Sequence, residues 1–156
     1  MGTWLVSAIL ALGLLLRLFH FWAITGTAFP KIGFVLTQSD MYAFFQWAQT
    51  ILAGDWLGRE TYHPFFEWMK RIAPLETWFE WWGGKEIFQQ APLYPYLLAG
   101  LWALCRGSVT GVLLVQLLIG AVQPLIMYRL ASRLFEPRVG LVAAGLTALY
   151  GPFIFH

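Results

Sequence analysis

Long apolar runs alternate with shorter mixed stretches along this chain of 156 residues. The first run covers residues 4–24 and is interrupted only by Arg17 and His20. It meets the length of about 20 residues that an α-helix needs to cross the hydrocarbon core of a bilayer. A cleaved signal peptide is the alternative, but it requires a basic start and a shorter apolar stretch, and the first three residues carry no charged side chain. The pattern therefore favours an uncleaved membrane helix.

A mixed segment follows over residues 25–91. It contains seven of the eight acidic residues and six of the nine tryptophans. Mixed charge with dense tryptophan is typical of a segment that faces water and rests on a lipid interface. Within this segment the pattern predicts a helix near residues 41–53, because an apolar stretch is preceded by a capping residue and followed by Gly54.

A second helix of this segment is predicted near residues 64–82. Phe65, Trp68 and Ile72 share one helical face, and Glu67 forms charge pairs at i+3 and i+4 on the other. The pattern indicates an amphipathic helix on the bilayer surface. The alternative is an aromatic platform on which sugar rings stack, and one segment could serve both purposes.

Three further apolar blocks complete the pattern. Residues 92–105 are short for a membrane crossing and predict a helix that dips into the interface or lies on it. Residues 109–131 predict a full span, in which Gln116 and Gln123 are seven residues apart and face the helix bundle. Pro124 is expected to kink this span.

The arginine-rich turn at residues 129–138 decides between two topologies. It lies on the same side as the mixed segment if residues 92–105 cross the membrane, and on the opposite side if they do not. Basic residues in short loops stay cytoplasmic, whereas long loops translocate with little regard to charge. The second topology obeys this rule, so we expect residues 25–107 outside and a last helix at 139–156 that is cut short.

The predicted fold class is all-α: a polytopic transmembrane helical protein whose large extracytoplasmic first loop carries interfacial amphipathic helices. Composition agrees, with 59% hydrophobic and 12% charged residues, against about 25% charged in soluble domains. The net charge of +2 is too small to indicate a nucleic-acid partner. A single cysteine, Cys105, excludes an internal disulfide, and the three scattered histidines predict no zinc site.

The two aspartates of the chain, Asp40 and Asp55, bracket the aromatic helix near 41–53. Asp40 has a structural explanation as the N-cap of that helix, and Asp55 as the polar residue that begins a turn after Gly54. The functional alternative is that a carboxylate beside the membrane accepts a proton from a reacting hydroxyl.

Four sequence elements carry a resemblance to a known family: "ILAGDWLG", "QQAPLYPYLLAGLWAL", "VQLLIGAVQPLIMYRLASRLF", and the acidic residue that follows the first apolar helix. In this order they resemble the N-terminal part of membrane glycosyltransferases with the C-type fold, in the bacterial branch related to protein O-mannosyltransferases and to the aminoarabinose transferase of lipid A. The resemblance covers nearly the whole chain.

The resemblance implies transfer of a sugar from a polyprenyl-phosphate donor to a glycan, lipid or protein acceptor. It implies an integral protein of the bacterial inner membrane with its active site on the extracytoplasmic side, and it assigns the catalytic base to Asp40. Because the family needs more helices, the 156 residues are expected to be the N-terminal part of a longer chain and inactive alone.

The sequence departs from the family at two positions. Some relatives have an Asp-Glu pair, whereas Met41 follows Asp40 here, and the spacing from Asp40 to Asp55 is one residue shorter than in the lipid A transferase, so Asp40 matches either the first or the second acid of that pair. Gln90 stands where the lipid A transferase has a lysine that meets the donor phosphate. Another cation must then hold the phosphate. The candidates are Arg59 and Lys85, with His63 a weaker one, and a solvated surface position is the alternative for each.

Arg17 and His20 lie in the outer half of the first predicted span, three residues apart and so on one face. Buried charge in a span indicates function by default because it is costly there, so Arg17 is a candidate for contact with the donor phosphate or within the bundle. Snorkelling to the lipid headgroups is the alternative. No cofactor is predicted, although a divalent cation that bridges Asp40 and the phosphate stays open.

Two other functions remain open. One is a non-catalytic membrane subunit or a lipid-carrier flippase-like protein. The other is an adhesive module whose tryptophan-rich segment binds lipid or glycan without chemistry.

Overall fold

The computed structural model describes residues 3–37, 39–59, 68–84 and 90–150. Their regular structure is entirely helical, which confirms the all-α class. The α-helices in these ranges are α1 Thr3–Thr25, α2 Phe29–Val35, α3 Asp40–Leu52, α4 Leu75–Trp81, α5 Leu93–Leu104, α6 Val109–Ala121, α7 Gln123–Leu134 and α8 Pro137–Leu149.

Two helical stretches are long and apolar enough to cross a membrane, Trp4–Thr25 and Val109–Leu134. In the most apolar 18-residue stretch of each, only 11% and 17% of the residues are buried inside the protein. The core helix of a soluble protein would be mostly covered, whereas α1 leaves large side chains such as Phe19 and Trp22 exposed. Such surfaces need lipid as their solvent, so the structure fits the membrane protein that the pattern predicts.

The second span is interrupted near its middle. α6 ends at Ala121 and α7 begins at Gln123, because Pro124 has no N–H to donate and its ring crowds the carbonyl one turn earlier. The amide of Val122 donates to the carbonyl of Ile119, three residues earlier. This is the bonding pattern of a 3-10 turn, which is wound more tightly than an α-helix. The break therefore lies where the sequence places its kink.

Two short helices stand where one amphipathic helix is predicted near 64–82. A 3-10 helix covers Met69–Arg71, and α4 begins only after Pro74, whose extended backbone ends the first turn. Residues 60–67, which include Phe65 and Glu67, lie outside the described ranges. The proline therefore divides this segment and the single helix is not observed.

The chain divides into two compact units. The span unit comprises Met1–Ala28 and Thr110–His156, and the loop unit comprises Phe29–Val109. In the span unit α8 packs on α7 and α1. In the loop unit α3 packs on α5 and α2. Helix α5 has 12 residues, a length of about 18 Å against about 30 Å of hydrocarbon. The predicted sidedness of the two units stays a prediction.

Candidate functional site

Asp40 is the first residue of α3, and its neighbour Ser39 caps the helix. The Ser39 hydroxyl oxygen accepts a hydrogen bond from the Tyr42 amide at 3.1 Å and donates one to the Leu36 carbonyl at 2.8 Å. The N-cap explanation of Asp40 is therefore wrong. Serine and aspartate cap equally well, so the sequence alone did not distinguish these adjacent residues.

This arrangement leaves the Asp40 carboxylate available. Asp40 is exposed, and it accepts no hydrogen bond from the part of the chain that the structure describes. Its position in the first turn places a negative charge at the positive end of the helix dipole, which stabilises the helix. A solvent-accessible carboxylate with both oxygens free is a chemically competent proton acceptor.

Asp55 instead organises the turn that follows α3. Gly54 has φ +113°, and the amides of Gly54 and Asp55 bond the carbonyls of Ile51 and Thr50, each at 3.1 Å. This pair of bonds is the Schellman ending of a helix. The Asp55 carboxylate then accepts the backbone amide of Arg59 at 2.8 Å. The structural explanation of Asp55 is thereby confirmed.

Helix α3 keeps the two aspartates apart. Its 13 residues separate Asp40 from the turn at Asp55 by about 20 Å. Arg59 follows Asp55 in that turn and is exposed. The structure therefore groups Arg59 with Asp55 and places both at the end of α3 opposite Asp40.

Two sequence elements of the family resemblance contact each other in the loop unit. The Tyr96 hydroxyl of "APLYPY" donates to the Trp56 carbonyl of "AGDW" at 2.6 Å. The Tyr94 ring meets Phe44 of α3 edge-on, with centroids 5.1 Å apart. The contact of Tyr96 with the turn was not anticipated, because neither element shows by its own pattern which part of the chain it meets.

The remaining candidates for the phosphate site are Gln90, Lys85 and His63. Gln90 is half-buried and lies two residues before Pro92, the residue that precedes α5. Lys85 and His63 lie outside the described residues. Within the residues that are described, no three histidine, cysteine, aspartate or glutamate side chains are grouped as a metal site.

Arg17 lies deep in the span unit. Its residue exposure is 1%, and its Nη1 donates to the Gly13 carbonyl at 3.1 Å. The side chain therefore runs back along α1 toward the middle of the helix, about 18 Å below the Thr25 end. Snorkelling toward that end is contradicted. Nε and Nη2 are buried and have no hydrogen-bond partner among the described residues.

Arg17 lies close to Gly13, where α1 packs against α8. A Cβ at Gly13 would lie 3.1 Å from the Ala148 Cβ and 3.3 Å from Arg17 Nη1. The facing positions Ala144 and Ala148 are buried. At this depth, a contact within the helix bundle suits the guanidinium better than a contact with phosphate at the membrane surface.

Trp78 is the centre of an aromatic cluster in the loop unit. Its ring contacts Trp81 at 5.0 Å, Trp82 at 5.7 Å and Trp68 at 6.3 Å between centroids. Its indole N–H donates to the Met69 carbonyl at 3.1 Å. Trp68 and Trp81 remain more than half exposed. The cluster therefore presents apolar ring surface that either a lipid interface or a sugar ring could cover.

Comparison with known proteins shows a similarity to a known family. Residues 89–155 match the family model of dolichyl-phosphate-mannose-protein mannosyltransferase. The match confirms the resemblance to these glycosyltransferases over somewhat less than half of the chain. It includes Gln90 and the "YRLASRLF" element, whereas Asp40, Asp55 and Arg59 precede it. No curated protein and no solved structure gives a significant match.

Proposed function

We propose that this chain is part of a membrane glycosyltransferase that moves a sugar from a polyprenyl-phosphate donor to an acceptor hydroxyl at the extracytoplasmic face of the bacterial inner membrane. The observation that carries the proposal is the match of residues 89–155 to the mannosyltransferase family. The two apolar stretches long enough to cross a membrane support it, because a polyprenyl tail must remain in lipid while its phosphate is at the surface.

Asp40 is the proposed catalytic base. Its carboxylate takes the proton of the acceptor hydroxyl while the hydroxyl oxygen attacks the anomeric carbon of the donor sugar. The bond from that carbon to the phosphate oxygen breaks, and polyprenyl phosphate leaves with the electron pair. Ser39 supports this role because it satisfies the Tyr42 amide, and the Asp40 carboxylate is exposed and has no hydrogen-bond partner among the described residues.

Substitution of Asp40 tests the proposed base. In membranes that contain the complete protein, we expect Asp40→Asn to lower the transfer rate by about 10²–10⁴-fold, since an amide cannot accept the proton. Donor affinity should change little. Asp55→Asn is the matched control, because its amide oxygen can still accept the Arg59 amide at the far end of α3. Equal activity of Asp40→Asn and wild type would exclude Asp40 as the base.

The cation that replaces the family lysine is part of the same proposal. Arg59 lies at the end of α3 remote from Asp40, which favours Lys85, five residues before Gln90 in the sequence. Lys85→Gln should then raise the donor KM more than Arg59→Gln does. A larger rise with Arg59→Gln would reverse the assignment.

A membrane-binding module without chemistry is the second candidate, because Trp68 and Trp81 expose their rings beside Trp78. Asp40→Asn also distinguishes this function, since a binder that performs no transfer would keep its affinity for lipid or glycan.

A further inference from the structure

Three arginines surround the turn between α7 and α8. Arg129 and Arg133 lie one helical turn apart on α7, and Arg138 lies in the first turn of α8. All three are exposed. We call Arg129, Arg133 and Arg138 the arginine turn. One acid, Glu136, lies between them, so the turn carries a clear positive charge.

The position of the arginine turn along the helices places it at headgroup depth. Residues 109–128 are the apolar part of the second span, and about 20 residues of helix cover about 30 Å of hydrocarbon. Arg129 is the next residue, immediately after Tyr128, whose ring suits the interface. The charged side chains therefore begin where the hydrocarbon ends.

The tip of the turn is also apolar. Leu134 and Phe135 are 67% and 74% exposed. A turn that simply extended into water would leave these two side chains without an apolar neighbour. Beside the arginines, they instead suit a layer where acyl chains and phosphates meet.

The arginine side chains are available for a ligand. Neither they nor Glu136 form an ion pair or side-chain hydrogen bond with any residue in the described ranges. Each guanidinium offers five N–H donors in a planar fork that fits phosphate oxygens. No residue in the described ranges therefore occupies their donors.

Close packing of α7 on α8 fixes the position of the arginine turn. Gly140 of α8 packs so closely on α7 that an added Cβ would lie 2.8 Å from the Tyr128 carbonyl and would overlap the Ser132 hydroxyl. Ala131 of α7 is buried as well. Since backbone meets backbone here, the spacing of the cations on the two helices is fixed by packing.

We propose that the arginine turn binds the phosphate of an anionic membrane phospholipid. The headgroup phosphate lies against the guanidinium groups, while the acyl chains follow the apolar surfaces of α7 and α8 into the bilayer. Charge complementarity selects an anionic lipid over a zwitterionic one. Exposed Leu134 and Phe135 favour a lipid over a free soluble phosphate, which has no apolar part to cover them.

Lipid titration of the purified protein tests this site. The protein in neutral detergent is titrated with dioleoyl phosphatidylglycerol, and bound lipid is counted by native mass spectrometry. Dioleoyl phosphatidylcholine and inorganic phosphate provide separate titrations. We expect each arginine replaced by glutamine to weaken phosphatidylglycerol binding about fivefold, and all three together about a hundredfold.

A second triple variant provides the matched control. Lys31→Gln, Arg71→Gln and Arg106→Gln remove the same charge from three other exposed positions. This variant should bind phosphatidylglycerol within about twofold of wild type. Replacing the arginine turn by three lysines should give intermediate affinity, because the charge stays and the fork is lost.

Three results would overturn the proposal. The first is equal weakening by both glutamine triples, which would indicate non-specific attraction. The second is unchanged affinity when the arginine turn is neutralised. The third is binding of inorganic phosphate as tight as that of phosphatidylglycerol, which would assign the turn to a soluble anion.

Discussion

The two units pack by different means. In the span unit the close contacts are made by small residues: Gly13 faces Ala148, and Gly140 faces the backbone of α7. In the loop unit the core contains large side chains, among them Trp47 and Ile51 of α3. The chain thus uses backbone proximity in one unit and side-chain volume in the other.

The predicted topology offers a reason for this difference, because it places the span unit in lipid and the loop unit in water. Between helices surrounded by lipid there is no hydrophobic driving force, since acyl chains are as apolar as leucine, and stability depends on close van der Waals packing. A segment in contact with water gains from removing large apolar side chains from that water. The placement of the loop unit outside the hydrocarbon core stays a prediction, with which its buried Trp47 and Ile51 are compatible.

Truncation of Trp47 should produce the largest stability effect. Trp47 is 3% exposed, so Trp47→Ala removes buried surface and leaves a cavity, at a cost of about 3–5 kcal/mol. Trp56→Ala is the control, because the Trp56 side chain is 60% exposed. Equal losses for the two variants in chemical unfolding would show that the loop unit does not depend on side-chain burial.

Enlargement of Gly140 should produce the next largest effect. The added methyl of Gly140→Ala meets the Tyr128 carbonyl and the Ser132 hydroxyl, and backbone cannot move away cheaply, so we expect a loss of about 1–3 kcal/mol. Gly145→Ala on the same helix meets nothing within 4 Å and should be neutral or gain up to about 1 kcal/mol. SDS titration in mixed micelles measures both, and a harmless Gly140→Ala would refute close packing in the span unit.

Removal of the Arg17 charge should have a smaller effect of opposite sign. Two buried N–H groups of Arg17 lack acceptors within the described structure, so Arg17→Met, which keeps similar length, should stabilise the span unit by about 1–2 kcal/mol. Arg71→Met at an exposed position should change stability by less than about 0.5 kcal/mol. A clear loss with Arg17→Met in the complete protein would instead reveal an acceptor on another helix.

The loop unit shows which structural features the sequence pattern predicts and which it does not. Apolar length and the glycine at 54 located α3 to within one residue at each end. The sequence does not distinguish Asp40 from Ser39 as the cap, because both residue types accept the same amide bond and only backbone geometry separates them. The pattern also predicts a single helix across Pro74, because the amphipathic spacing of side chains continues past the proline although the helical backbone is interrupted there.

The amino-acid sequence determined the all-helical membrane class, the two long spans and the position of the proline break, because these depend on the length and composition of single segments. It also provided the family resemblance that the match of residues 89–155 supports. Tertiary structure decided which partners the polar groups have. In that structure Asp40 is exposed, and the Asp55 carboxylate accepts the Arg59 amide. The Tyr96 hydroxyl donates to the Trp56 carbonyl, and the Arg17 side chain donates to the Gly13 carbonyl. Those outcomes depend on backbone dihedrals and on contacts between distant segments, which the local order of residues does not specify.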